Sequence, residues 1–300
     1  MSHGPGAAQV QGETNADRQR IVADAVRDIS HIATLPEITV RIIETVEDPD
    51  STAHDLHLII ANDPALCARV LKVVNSAFYG LPGQIGSINR AIVLLGLNAV
   101  KNIAIAASLA RLFRGGRLSP NFAAKDLWAH SITVGATTKL LAEKAGLRLA
   151  DEAFLAGLMH DIGLMVEMQT LRPKLIEVIE GSGGEDTPSF IEQEQRIIGA
   201  DHQDFGKGLC EAWKFPRSFA CVTGHHHAPL TLDREMRTLT TLVHIGDILA
   251  ARSGIGYTGT VAEHTVSRDV LADAELTQEQ IDHVSEQIPE AYEVADQLLR

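Results

Sequence analysis

Histidines and aspartates recur through the second half of this chain at positions from which packed helices could aim them at one point: His130, the pair His160-Asp161, His202, the run His225-His226-His227, His244 and Asp247. Imidazole nitrogen and carboxylate oxygen together suit a hard-to-borderline divalent ion. His160-Asp161 closes an apolar stretch beginning at Phe154, and Gly163 follows, a residue that would let the backbone turn so that both side chains face one cavity. Alone, the pair has an ordinary explanation as a helix C-terminus, where His favours the dipole and Gly ends the helix. Asp126 lies four residues before His130 and Asp247 three after His244, so each pair shares one helix face. Taken singly, His130 beside Trp128 reads as a packed helix residue, His202 after Asp201 as a first-turn residue, Asp247 as a solvated carboxylate and the triplet as a surface loop. The ordered set argues for a metal-capable core, because each member is separated from the next by about one or two helices and a bundle gathers such inward-facing groups. Two divalent ions about 3.5–4 Å apart, bridged by the aspartate and a water, could clamp a phosphate and supply hydroxide for in-line attack. Phosphodiester hydrolysis is the chemistry such an arrangement suits.

The elements that must hold these residues are helices. Of 300 residues 45% are hydrophobic but only 4% aromatic, so the core is built from Leu, Ile, Val and Ala, and with abundant Glu, Gln and Arg this predicts an all-α, multi-helical chain. A net charge of −13 offers no general field for nucleic acid or anionic lipid, which disfavours DNA as a partner; a local basic patch around Arg111, Arg114 and Arg117 is the one place to look for an exception. Cys67, Cys210 and Cys221 are odd in number and lack metal-type spacing, which reads as free thiols in a reducing cytoplasm. No uncharged apolar run reaches about 18 residues and no apolar leader precedes Gly12, so the expected location is cytoplasmic and not in a membrane.

Along the chain, residues 1–15 are expected to be disordered, being small and polar. Helices are predicted from Asp17 to near His31, from Leu35-Pro36 to Val46, from the Thr52-x-x-Asp55 capping box, from Ala65 to Val74, from a Ser87 cap, and from Asn98 to Phe113. Arg114 to Pro120 shifts to basic, Gly- and Pro-containing composition and is taken as a hinge between an N-terminal helical subdomain, 16–115, and a second helical unit, 116–300. That unit should hold helices over 122–145, 150–159, 163–169, 173–180, 189–198, 201–213, 216–224, 233–251 and 278–298, and no sheet is expected.

Several segments together resemble a known family. Trp128-Ala-His130, Phe154-Leu-Ala-Gly-Leu-Met-His-Asp-Ile-Gly163, Asp201-His202-x-x-Phe-Gly206, the triplet followed by Ala228-Pro229, and Val243-His-Ile-Gly-Asp247 are similar to the HD superfamily of metal-dependent phosphohydrolases. In the first half, Leu35-Pro-Glu, Ile60-Ala-Asn-Asp-Pro-Ala-Leu66, Val74-Asn-Ser-Ala-Phe-Tyr-Gly80 and Ile88-Asn-Arg-Ala-Ile-Val-Leu-Leu-Gly96 resemble the HDOD domain, the HD-related output domain of bacterial signalling proteins. The match covers roughly residues 28–252, and the combination of both halves is far more specific than any one motif.

The resemblance implies a regulatory module working through signalling protein partners, related to the HD-GYP phosphodiesterases of cyclic di-GMP. By motif position it implies metal ligands at His130, His160, Asp161, His202, two of the triplet and Asp247, with Asp126 one turn before the first His. Spacing to Pro229 favours His226 and His227 over His225, the register being open by one. The implied cofactor is divalent Fe, Mn or Mg, as one ion or two. Two departures bear on catalysis: Leu164 stands where the active phosphodiesterases carry a lysine, and their Gly-Tyr-Pro signature is absent, with Gly256-Tyr257-Thr258 lying elsewhere and lacking the proline. A missing phosphate-contacting cation weakens transition-state stabilisation. The expectation is a metal-binding regulatory protein without strong catalysis and without a receiver, EAL or GGDEF-like segment. The alternatives are a divalent-metal phosphohydrolase acting on a cyclic dinucleotide or nucleotide, and a nucleotide-binding sensor that has lost catalysis.

Overall fold

The computed structural model describes residues 15–32, 37–48, 50–76, 79–81, 83–109, 113, 116–119, 122–182, 184 and 187–299. The expected disordered tail up to residue 14, the Leu35-Pro36 helix start, Arg111 and Arg114 fall outside the described residues.

Helices dominate the described residues, as composition predicts. The first half holds α1 (Asn15–Ile32), α2 (Glu37–Glu47), α3 (Ala53–Ala61), α4 (Pro64–Val74), α5 (Ile88–Leu95) and α6 (Leu97–Leu109). Short polar side chains start several of them. The Thr52 amide donates to Asp55 Oδ2 at 2.8 Å, Asp63 accepts from the Ala65 and Leu66 amides at 2.9 Å each, and Ser87 Oγ accepts from the Arg90 amide at 3.3 Å. The long helix expected to reach Phe113 is seen to Leu109.

The second half holds α7 (Ala124–Lys144), α8 (Ala150–Met159), α9 (Ile162–Thr170), α10 (Arg172–Gly181), α11 (Phe190–Ile197), α12 (His202–Ala212), α13 (Arg217–His225), α14 (Arg234–Ser253), α15 (Arg268–Asp273) and α16 (Gln278–Leu299), with one 3₁₀ turn at Pro229–Thr231. Two features were not anticipated. Arg117–Ser119 and Phe122–Ala123 pair antiparallel where a hinge was expected; strands this short carry no alternation to read. Helix α15 is six residues long, and Arg237 and Thr241 of α14 hold its Asp273 through Nε–Oδ1 and Oγ1–Oδ2 contacts of 2.7 and 2.8 Å.

Close helix crossings place the His- and Asp-bearing segments. Helix α7 packs along α8, α14 and α16, and α12 packs on α9 and α13. At the α7–α8 crossing a Cβ on Gly157 would sit 2.8 Å from the Gly135 Cα, so only glycines allow the approach. The first half packs directly onto the second, α1 on α9 and α12 and α6 on α8, and one apolar cluster runs from Ile29 through Leu164 to Ile288. Among the described residues no helix is long and apolar enough to cross a membrane. Cys67, Cys210 and Cys221 are free thiols, and burial pushes the Cys210 thiol up to about 12.

Candidate metal centre

Five helical elements deliver side chains to one buried point. Helix α7 carries His130 and α14 carries Asp247. The α8–α9 corner carries His160 and Asp161, with His160 still in helical conformation and Asp161 at the N-cap position of α9. His202 is the first residue of α12, which Asp201 and Asp204 start with a reciprocal capping box. His226 and His227 follow the end of α13.

Gly163 acts differently from the backbone turn expected of it. It lies within α9, and a Cβ there would overlap the His202 carbonyl oxygen and come 2.8 Å from the Gly206 amide nitrogen. Its missing side chain lets α9 lie against the start of α12, which brings Asp161 to His202.

His202 Nε2 and His226 Nε2 lie 3.5 and 3.3 Å from Asp161 Oδ1, and His160 Nε2 lies 3.3 Å from Asp161 Oδ2. Asp247 Oδ1 is 3.0 Å from His130 Nε2 and 3.7 Å from His160 Nε2, and Asp247 Oδ2 is 4.0 Å from His227 Nδ1. His202 Nε2 and His227 Nε2 are 3.0 Å apart. The donors form overlapping groups: Asp161, His202, His226 and His227; His130, His160 and Asp161; and His160, His226 and Asp247.

The outer ring nitrogens fix how the imidazoles point. His160 Nδ1 is 2.7 Å from the Gly157 carbonyl, His226 Nδ1 is 3.2 Å from the Val222 carbonyl, and His202 Nδ1 is 2.8 and 3.0 Å from the two oxygens of Glu194. Each Nδ1 therefore donates outward and each Nε2 faces inward, the arrangement that orients metal-ligating histidines.

Despite the short separations, Asp161 Oδ1 and Oδ2, His160 Nε2 and His226 Nε2 are buried without a hydrogen-bond partner among the described residues. The atoms lie near one another but are not aimed at one another. Orphaned buried polar atoms are costly, and a cation at their focus would satisfy all of them. With metal–nitrogen bonds near 2.1 Å, neighbouring ligands of an octahedral ion lie about 3.0 Å apart and of a tetrahedral ion about 3.4 Å apart. The 3.0–3.5 Å separations here match that spacing, so this donor set fits a divalent ion.

Charge distribution accords with that fit. Burial opposes charge on His202 and His160, but Glu194 and Asp161 outweigh it at His202, and Asp161 and Asp247 at His160, raising them to about 10 and about 9. Burial lowers His226, and burial with the neighbouring His226 and His202 lowers His227 well below the usual imidazole range. Burial also works against ionisation of Asp161 and Asp247, yet His160 beside the first and His130 and His160 beside the second hold both below the usual carboxylate range.

Among the expected ligands, His130, His160, Asp161, His202, His226, His227 and Asp247 are brought together, whereas Asp126 and His225 belong to none of the donor groups. Asp126 is half-buried on α7 and its carbonyl accepts from the Tyr257 amide at 2.9 Å; half-buried His225 has its Nδ1 3.5 Å from Thr231 Oγ1. His244 Nδ1 is 2.7 Å from the His226 carbonyl and supports the centre from behind.

Three neighbours carried no sequence signal. Glu194 lies one turn before the end of α11 with no motif around it, and only folding brings it to His202. Buried Glu167 lies beside Glu194, and burial followed by that neighbouring carboxylate raises it well above the usual range. Tyr257, in the Gly256-Tyr257 segment set aside as lacking family meaning, packs at ring separations of 4.5 and 6.1 Å from Phe122 and Phe190, and burial near Glu194 and Asp161 raises its phenol. Gly256, at φ +80°, lies so tightly on α7 that a Cβ would overlap the His130 amide.

A multi-helical chain that gathers His and Asp side chains from a tight interhelical corner and its neighbours has an HD-like architecture. The HDOD domain model matches residues 32–229, and the chain belongs to the HDOD domain family. A protein of Treponema pallidum (strain Nichols), described as uncharacterized, is 25% identical over 216 residues; the match takes in 72% of this chain and 41% of that protein's length. An HDOD domain protein of unknown function from Geobacter sulfurreducens superposes with a TM-score of 0.79 at 22% identity, covering 95% of this chain and 99% of that one. A candidate signal transduction protein from Marinobacter aquaeolei VT8 gives 0.73 at 22%, covering 97% and 68%. A candidate phosphohydrolase from Shewanella amazonensis SB2B gives 0.70 at 20%, covering 93% and 98%. At these identities the solved structures speak to fold.

Proposed function

We propose that this chain is a metal-binding regulatory module of the HDOD family that acts through protein partners and has no strong hydrolytic activity. One observation carries the reading: the ligand atoms converge in a closed core. Side chains of His130, His160, Asp161, His202, His226 and Asp247 are 0–1% exposed, and His227 alone reaches 15%. Leu164 is fully buried in the apolar core, and the charges acting on Asp161 and Asp247 come from histidines, with no lysine or arginine among them. A phosphate ester would have to enter that space, and at Leu164 it would meet an apolar side chain and no cation.

Bound there, a divalent ion would supply Lewis acidity and cross-link α7, the α8–α9 corner, α12, α13 and α14. His160, Asp161, His202, His226, His227, His130 and Asp247 would hold it, with Glu194 orienting His202. The histidine-rich donor set favours Fe or Mn over Mg. Metal analysis of protein purified without chelator should find at least one such ion per chain, absent from Asp161→Ala. An empty wild-type centre would sink the proposal.

A second reading rests on a different observation. His227 also lines a surface cavity of about 320 Å³ together with His244 and Glu263, which gives the centre a route to solvent. Under this reading the chain hydrolyses a nucleotide or cyclic dinucleotide. Incubation with Mn²⁺ and a cyclic dinucleotide decides between them: turnover lost in Asp161→Ala establishes hydrolysis, and unchanged substrate supports the regulatory reading.

A further inference from the structure

The cavity of about 320 Å³ beside His227 is lined by three segments: the stretch from His227 to Thr231 after α13, His244 of α14, and residues between Glu263 and Val270 around the start of α15. Arg237 of α14 ties these segments together, its Nε 2.7 Å from Asp273 Oδ1 of α15 and its Nη1 3.3 Å from the Leu232 carbonyl. Arg252 Nε donates to the His264 carbonyl and so anchors the residues around Glu263 to α14.

The lining is rich in acceptors. Exposed Glu263 brings a carboxylate, Thr231, Thr265 and Ser267 bring hydroxyl oxygens, and no lysine or arginine takes part. A recess whose one full charge is negative draws in cations and repels phosphate esters. A divalent ion with six waters takes roughly 180 Å³ at about 30 Å³ per water, so it fits with its hydration intact.

The recess and the metal centre share a wall. His227 lines the first, while its Nε2 lies 3.0 Å from His202 Nε2 and its Nδ1 4.0 Å from Asp247 Oδ2 in the second. Among the gathered side chains it is the one that reaches solvent. His244 stands between the two in charge as well, within electrostatic reach of Glu263 in the recess and of Asp247 in the centre. Its Nδ1 donates to the His226 carbonyl at 2.7 Å, so the neutral ring carries its lone pair on Nε2.

We propose that this recess is the entry port of the metal centre, a transient binding site where Glu263, beside His244, captures a hydrated divalent cation that His227 then passes inward. The inference rests on the metal reading above and adds the residue that sets how fast the centre fills. A group that meets the ion only in transit stabilises the passage and not the seated state. It therefore speeds entry and departure alike and leaves affinity nearly unchanged. One carboxylate about 5 Å from a divalent ion in a water-like medium is worth about tenfold in rate at an ionic strength of about 0.01 M, and less than about twofold at about 1 M.

Stopped-flow mixing of the metal-free full chain with Mn²⁺, the free ion followed by a metal-sensitive dye, reads association; a chelator chase of the loaded chain reads release. Glu263→Gln, at an exposed position, should slow association about tenfold at low salt and less than about twofold at high salt. Release should slow by the same factor, keeping Kd within about threefold. Glu263→Lys should slow both rates further. Asp50→Asn, which removes an exposed acid from the first half, should leave both within about twofold. Unchanged association in Glu263→Gln at low salt, equal slowing in Asp50→Asn, or a loss of affinity that matches the slower association while release stays the same would each overturn the port. A wild-type chain that takes up no Mn²⁺ would overturn the metal reading itself, whereas a chain that binds Mn²⁺ at rates indifferent to Glu263 overturns the port alone.

Discussion

Loading the metal centre at neutral pH should release about two protons per ion, and its affinity should therefore climb steeply with pH. Two of the inward-facing imidazoles, His160 and His202, are raised to about 9 and about 10, so both are protonated at pH 7 in the absence of metal. Burial lowers His226 and His227, which are already neutral, and Asp161 and Asp247 are already ionised, so none of these four has a proton to lose. Below both raised values each pH unit should increase the metal association constant about 100-fold, equivalent to about 2.7 kcal/mol. Mn²⁺ titrations at pH 6.5, 7.5 and 8.5, each in two buffers of different ionisation enthalpy, give slope and proton count independently. Replacing Glu194 by Gln removes the carboxylate that sits on His202 Nδ1 and holds its proton, and the slope should drop toward tenfold per unit. A flat profile with no protons released would refute the reasoning, since the two imidazoles would then be neutral before the ion arrives.

The same shifts bear on stability without metal. Raised pKa values in the folded state add stability that is fully present below the unfolded value near 6.5 and is lost as pH climbs through about 9 and 10. The metal-free Tm should thus fall by about 5–10 °C between pH 7 and 10 while the metal-bound Tm stays nearly level, read by scanning calorimetry. Gly163→Ala should cost about 1–3 kcal/mol in urea unfolding and weaken Mn²⁺ at least tenfold by pushing α9 off the His202 carbonyl; wild-type affinity in a folded variant would contradict the close-approach role. Leu164→Lys should not confer phosphodiesterase activity and should destabilise by about 3 kcal/mol or more, since it buries an ammonium in an apolar site, whereas Leu164→Met should cost less than about 1.5 kcal/mol.

Most helices were legible because local chemistry states them. Thr52, Asp63, Ser87 and Ser189 each stand at a helix start with a hydrogen bond that the side chain itself dictates, and the apolar spacing behind them sets the buried face. Helix α15 was illegible for the converse reason, since six residues complete too few turns to show a period, and its placement depends on Arg237 and Thr241 from another helix. The histidines and aspartates of the centre were visible as types and order, but what makes them a site was not. The bond from His202 to Glu194 joins residues eight positions apart across a break between helices, and the tolerance of α9 for the His202 carbonyl shows only once the two helices are packed. Tyr257 likewise gains its place beside the centre from Phe122 and Phe190, each far away in the chain.

The exposure of His227, alone among the gathered ligands, sets a clock for the centre. An ion held by residues of α7, the α8–α9 corner, α12 and α14 would not leave by shedding them one at a time into water, because those side chains are buried. The way out would then pass the short stretch from His227 to Thr231, which lines the surface cavity. Exchange would be governed by how often that stretch opens and hardly by the strength of any one bond.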